Sequence, residues 1–145
     1  MIDLSQFVTQ IDTNSASLDF TLVFDEVSDL LCNSHRGFFD AEQDPNGNGW
    51  VPLSPVTIRR KGHATILIDT DDMRTSVINR SSVSHVERFD TLGMAWGTND
   101  KKGPFHQFGT MLIPQRQFVG WDDETINSAV GLIADDAVKQ LLSGI

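Results

Sequence analysis

Residues 49–78, GWVPLSPVTIRRKGHATILIDTDDMRTSVI, constrain the fold most, because helix-start and helix-stop signals follow one another there with almost no slack. Ser54 followed by Pro55 is an N-cap with proline at the first helical position, where a missing amide hydrogen does no harm. The spacing predicts a short helix over 56–61, ended by Gly62 in a left-handed conformation. Residues 63–69 form a β-branched, apolar run that reads as a buried strand. Thr70, Asp71 and Asp72 then cap and charge-match a second short helix that sets Met73 and Val77 on one face. The expectation is helix, strand, helix.

What this stretch can belong to is limited by size and charge. At 145 residues and 39% hydrophobic, the chain can bury a core of its own without staples and is read as one domain over 1–145. Cys32 is the single cysteine, so no intramolecular disulfide is possible. No apolar run is long enough to cross a bilayer, and no signal-peptide pattern opens the sequence, so a cytoplasmic protein is expected. A formal net charge of -9 argues against nucleic-acid binding through a basic face, since phosphate contacts need clustered Lys and Arg.

Before the central stretch, residues 1–16 carry isolated apolar side chains (Ile2, Leu4, Phe7, Val8, Ile11) with no clear period, and read as an arm or edge strand; 17–145 is the α+β unit. From Ser17, the residues Phe20, Val23, Phe24, Val27, Leu30, Leu31 and Ser34 recur at helical spacing, with Asp19, Asp25, Glu26, Ser28 and Asp29 facing away. This is a long amphipathic helix, with Cys32 beside its apolar face as a small buried hydrophobe. The loop DPNGNGWV places Asp44, Asn46, Asn48, Gly49 and Val51 where a calcium-binding helix-loop-helix would want them. Its twelfth position, however, is Pro55 in place of a bidentate carboxylate, and a plain Asn-Gly turn is the better reading.

After the centre, 82–88 and 92–97 look like a hairpin turning at Asp90 and Thr91, with Leu92, Met94 and Trp96 on one face. GPFHQFG over 103–109 reads as a compact turn or single helical turn, and IPQRQFVG over 113–120 as an extended segment. Trp121, Asp122 and Ile126 suggest a hydrophobic staple around an N-cap, and Ile126, Val130, Ile133, Ala137 and Leu141 mark one face of a closing helix. The fold class is therefore α+β, with a small antiparallel sheet covered on one face by a long N-terminal helix and a C-terminal helix.

Two sets of residues could carry chemistry. ILIDTDD places Asp69, Asp71 and Asp72 after an apolar run, as in magnesium-dependent phosphotransferases that use one aspartate as nucleophile and another as acid-base. On that alternative an Asp69→Asn variant would lose a magnesium-dependent phosphatase activity. Such enzymes need a parallel doubly wound sheet with further motifs from later strands, which a hairpin and one helix do not offer. The helix dipole already accounts for Asp71 and Asp72. His35, His63, His85 and His106 show no metal-ligand spacing, so neither a metal nor a cofactor is expected.

Taken in order, Trp50, Pro52, Leu53, Ser54, Thr57 and Lys61, then Leu67, Asp69, Thr70, Met73, Arg74 and Ser76, then Gly97 and Thr98, then His106, Gln107 and Gly109, then Pro114, Arg116, Phe118 and Gly120 resemble the successive signatures of the phage virion morphogenesis family. That family holds tail-completion and head-to-tail joining proteins of contractile-tailed, Mu-like bacteriophages. The resemblance spans about residues 36–142. It implies a structural virion protein with no active site, added late in assembly, forming a homo-oligomeric, tail-terminator-like ring in the neck, a hexamer by expectation. Implied partners are further copies of itself and neighbouring neck, tail tube or sheath proteins, with DNA passing through the lumen without specific binding. Implied location is the virion, after assembly in the host cytoplasm.

The sequence departs from the family where Asp71 and Asp72 replace the usual glycine and basic residue, where no tyrosine precedes His106 and Gln107, and where TMLI replaces a longer basic loop. Independently of the family, Gln107 and Arg116 each carry several donors beside glycine or proline, and are expected to tie the 103–109 turn to the 113–120 segment. The acidity suits a lumen whose carboxylates repel phosphate.

Overall fold

The computed structural model describes residues 5–143, with side chains described from residue 8 onward. The chain runs α1 (Ser5–Ser15), α2 (Thr21–Ala41), α3 (Pro55–Lys61), α4 (Asp72–Ile78), β1 (His85–Phe89), β2 (Met94–Thr98), α5 (Gly103–Phe108) and α6 (Asp123–Leu141). Among the described residues this is an α+β fold with six helices and one two-stranded antiparallel sheet. None of its helices is long and apolar enough to cross a membrane.

The signals at Ser54 and Gly62 act as read. The Ser54 hydroxyl accepts from the Thr57 amide at 3.2 Å, Pro55 is the first helical residue, and Gly62 closes α3 at φ 81° by donating to the Ile58 carbonyl. Residues 63–69 do not form the expected strand. A single β-branched run has no ladder to join, since β1 pairs only with β2, so its backbone groups find other partners. The Ile66 amide donates to the Glu42 carboxylate at 2.7 Å, Leu67 turns through φ 58°, and Ile66 and Leu67 enter the core. A non-glycine residue in that region costs roughly 1–2 kcal/mol, which burial of its side chain offsets.

Capping of α4 also differs from expectation. Thr70 does not cap; its hydroxyl donates to Asp72 at 2.6 Å. Asp71 is the N-cap, in a left-handed conformation, and its carboxylate takes Arg74 Nε at 2.7 Å. Met73 and Val77 are nevertheless buried together, as their spacing requires.

The larger core gathers Phe39, Trp50, Ile66, Leu67, Met73, Val77 and Phe118; a smaller one joins Val27, Leu31 and Ala129 beneath Met94 and Trp96. Trp96 packs against both, so β2 is the hinge between them. The hairpin pairs Glu87 with Trp96 and Phe89 with Met94, and its turn is closed by the Asp90 amide donating to Gly93 at 2.9 Å. Leu92, expected beside Met94 and Trp96, lies in that turn and is exposed.

Three further differences have simple causes. Residues 5–15, read as arm or edge strand, are helical; α1 is tied to the end of α6 by the Asn14 side chain, which donates to the Leu141 carbonyl at 2.9 Å and the Ser143 carbonyl at 3.1 Å. The rest of that arm, with Ile2 and Leu4, lies outside the described residues. Ser28 faces inward because its hydroxyl donates to Glu87 at 2.6 Å. On α6 the buried face is set by Thr125, Ala129, Leu132 and Ile133, which leaves Ile126 and Val130 exposed.

His35 shows how a buried histidine is kept neutral. Its Nδ1–H donates to the Leu31 carbonyl at 2.7 Å, while Nε2 accepts from the Gly120 amide at 3.2 Å. Desolvation drives its pKa down to about 4. Unfolding restores an ordinary imidazole near pH 6.5, so below that pH the unfolded chain binds a proton the folded one refuses. Stability is present above pH 6.5 and is lost as pH falls towards 4. The expected loss is roughly 2 kcal/mol between pH 7 and pH 5, read from urea midpoints at unchanged m-value. A flat profile across that window would contradict the neutral assignment.

Candidate functional site

A cleft of about 430 Å³ opens between α3, the turn entering α4, α5 and the segment that follows α5. Pro52, Leu53 and Ser54 contribute from the α3 side, Asp69 and Thr70 from the turn, and His106, Pro114 and Arg116 from the far wall. Residues spread over more than sixty positions of sequence therefore meet at one place.

Arg116 is the anchor. It is 5% exposed, its Nε donates to the Val51 carbonyl at 2.7 Å, and its Nη2 to the Pro52 carbonyl at 3.2 Å. Its backbone amide donates to the His106 carbonyl at 2.8 Å. Burial lowers the guanidinium pKa, as desolvation disfavours any charge. The expected tie between the turn and the extended segment is thus made by the Arg116 backbone, while its side chain reaches the loop before α3.

Gln107 adds further ties with both ends of its amide, and its backbone carbonyl accepts from Gln115 Nε2 at 3.1 Å. Its Oε1 accepts from the Phe118 and Val119 amides at 3.1 and 3.0 Å, and its Nε2 donates to the Val119 carbonyl at 2.8 Å. This supplies ladder-like bonding to a segment with no partner strand. Gly109 lets the two pieces touch: it sits at φ 73°, and a Cβ there would lie 2.9 Å from the Gln115 amide nitrogen. Trp50 and Phe118 lie in the core, where Trp50 Nε1 donates to the Gln117 carbonyl at 2.8 Å. Arg74, grouped with the cleft residues by sequence, does not line it and pairs with Asp71 instead.

The electrostatics of the cleft run against the rest of the chain. Arg60, Lys61, Lys102 and Arg116 all line it, and none forms an ion pair with a described residue. His106 has its pKa lowered by burial first and then by Arg116 and Lys102, and its buried Nδ1 has no hydrogen-bond partner among the described residues. Lys61 is likewise lowered, by burial, although Asp69 opposes the shift. Of the three aspartates present, Asp71 is taken by Arg74 and Asp72 by Thr70.

Asp69 follows a turn, and among the described residues no parallel strand precedes it, so the strand-end geometry of an aspartate phosphotransferase is not present there. Among the described residues no group of three His, Cys, Asp or Glu side chains could hold a metal ion. In the DPNGNGWV loop, Asp44 accepts from the Asn46 and Asn48 amides at 2.8 and 2.9 Å, which is the turn chemistry expected of it.

One surface was not legible in the sequence. Phe105, Phe108, Met111 and Leu112 are exposed along α5 and the turn after it, the last three at least 75% so. The turn is held firmly, since the Thr110 hydroxyl accepts from the Leu112 and Ile113 amides and the Thr110 amide donates to the Ile113 carbonyl at 2.8 Å. An apolar quartet with no helical or strand period was the available signal.

Fold and cleft together define a small α+β protein whose grouped residues brace loops and display surface. The chain belongs to the phage virion morphogenesis family, whose sequence profile matches residues 3–137. It is similar to the Mu-like prophage FluMu G protein 1 of Haemophilus influenzae, 24% identical over 111 residues that cover 74% of this chain and 73% of the relative. No solved structure matches the chain. Membership makes it a bacteriophage virion protein with a structural role in morphogenesis.

Proposed function

We propose that this protein completes the tail and joins it to the head, as a homo-oligomeric ring in the neck of a contractile-tailed phage. It works by shape and catalyses nothing. Further copies of the same chain form the ring, expected to be a hexamer, and neighbouring neck, tail tube or sheath proteins contact its rims. DNA passes through a lumen whose carboxylates repel phosphate.

The observation that carries this reading is family membership over nearly the whole chain. The relative from a Mu-like prophage supports a phage particle as the setting. A rigid turn bearing exposed Phe108, Met111 and Leu112 supports assembly, because clustered apolar surface of this kind marks sites of protein contact.

Light scattering on the purified chain at high concentration tests it. A closed oligomer, visible as rings by electron microscopy, is the expected result. A mass of one subunit at every concentration would overturn the proposal.

A further inference from the structure

The cleft sets Arg60, Lys61, Lys102 and Arg116 against Asp69, Asp71 and Asp72 of the same copy. Asp71 is taken by Arg74, Asp72 accepts from Thr70 and Asp69 acts on Lys61, so Arg60, Lys102 and Arg116 have no ion-pair partner among the described residues. Arg116 uses Nε and Nη2 within the fold, while its Nη1 makes no hydrogen bond with a described residue. Arg60 and Lys102 are exposed, and neither side chain has a hydrogen-bond or ion-pair partner among the described residues. This basic site belongs to a chain of net charge -9, so a further copy is the obvious carrier of complementary charge.

Most carboxylates in the described residues already serve their own copy. Asp19, Asp44, Asp90 and Asp100 each accept backbone amides in turns. Asp25, Asp29 and Glu87 hold Arg80, and Asp122 caps α6 by accepting from the Thr125 amide at 2.6 Å. Asp12, Glu26, Asp40, Asp69 and Asp135 also lack a side-chain hydrogen-bond or ion-pair partner among the described residues, but each stands singly; Asp123 and Glu124 are adjacent, both are exposed, and neither has such a partner. Exposed Trp121 and Ile126 bracket them, giving a short segment that is acidic in the middle and apolar at its edges.

The cleft has the matching composition, with Pro52, Leu112 and Pro114 beside the cations. No residue of α6 lines the cleft, so the two are different patches of one copy. Contact between unlike patches is heterologous, which closes into a ring when the rotation between copies allows.

We infer that the cleft receives the 121–126 segment of a neighbouring copy, with Asp123 and Glu124 facing Arg60, Lys102 and Arg116. The inference rests on the ring reading above and adds which surfaces meet. Rings built through α6 faces or through the 105–112 turn alone would satisfy the ring reading without it.

Charge reversal tests it, with native mass as the readout. Arg60→Glu with Lys102→Glu alters exposed side chains that bond nothing in their own fold, and Asp123→Lys with Glu124→Lys leaves the Asp122 cap intact. Each pair of substitutions is expected to weaken association on the order of a hundredfold. The fourfold variant, with both patches reversed, is expected to regain the wild-type mass, which a merely damaged fold would not do. If wild type assembles and either pair of substitutions leaves its mass unchanged, the cleft contact is overturned while the ring stands. Loss in both without recovery in the fourfold variant overturns the pairing as well. A wild-type chain that stays a single subunit overturns both readings.

Discussion

Replacing Phe118 by alanine is expected to lower the unfolding free energy by about 3–5 kcal/mol. The side chain is 1% exposed and sits in the larger core, edge-on to Phe39 with ring centroids 6.0 Å apart. Its neighbours come from α2, the loop before α3, the 63–69 turn and α4. The site cannot close over the void cheaply, because the backbone on either side is fixed: the Phe118 and Val119 amides are held by Gln107 and the Gln117 carbonyl by Trp50. A loss of this size is a large share of the roughly 5–15 kcal/mol that holds a domain together, so the variant should be partly unfolded at 37 °C. Urea unfolding followed by tryptophan fluorescence measures it. A loss under about 1 kcal/mol would mean the segment relaxes freely and Gln107 does not pin it.

Replacing Arg80 by methionine is expected to cost about 2–3 kcal/mol, somewhat below the figure for breaking a fully buried pair because both partners keep some water. Arg80 follows α4 and binds Asp25 and Asp29 on α2 and Glu87 on β1. The two aspartates are more than half exposed and contribute little. Most of the effect comes from Glu87, which also accepts from the Ser28 hydroxyl and faces His85 Nε2 at 3.1 Å. Burial alone would raise the Glu87 pKa; the hydrogen bonds from Arg80, Ser28 and His85 overcome this and hold it at about 2.

A depressed carboxylate stabilises the fold above its unfolded pKa, near 4.5, and that contribution disappears as pH falls towards 2. Without Arg80 the acid limb between these values should flatten. The double variant with Glu87→Gln should be less destabilised than the sum of the two single changes, since no unpaired charge remains. Simple additivity in that cycle would show that Arg80 and Glu87 do not act as a unit.

The sequence was most legible where one residue type has one physical use. Ser54, Pro55 and Gly62 bound α3 because each solves a local backbone problem that few other residues can. Met73 with Val77, and Val27 with Leu31, give the two cores because helical spacing leaves no choice of face. Residues 63–69 misled because β-branched content measures only fitness for a pleated surface, and no strand was there to supply one. The side chain that settles that turn, Glu42, lies 24 positions upstream of Ile66 and has no local signature. On α6 the apolar residues outnumber what one face can bury, so periodicity selected Ile126 and Val130 while packing against α2 selected Ala129.

For the cleft, the resemblance supplied twelve of its lining residues by position, and the geometry explains them: Pro52, Leu53, Ser54, Asp69, Thr70, His106, Pro114 and Arg116, with Thr57, Lys61, Leu67 and Met73, border one opening. The basic character of that opening was hidden, since Arg60, Lys61 and Lys102 lie in two separate helix ends.

The apolar turn after α5 has a consequence for the lone subunit. Because Thr110 already holds it in shape, little chain entropy would be lost were it to dock on a neighbour as proposed above, and attachment would be both quick and tight. The same stiffness means it cannot fold away beforehand, leaving each newly made copy tacky. Mutual repulsion between strongly anionic molecules opposes indiscriminate sticking through this turn, so that on the ring reading only contacts of matched shape and charge would persist.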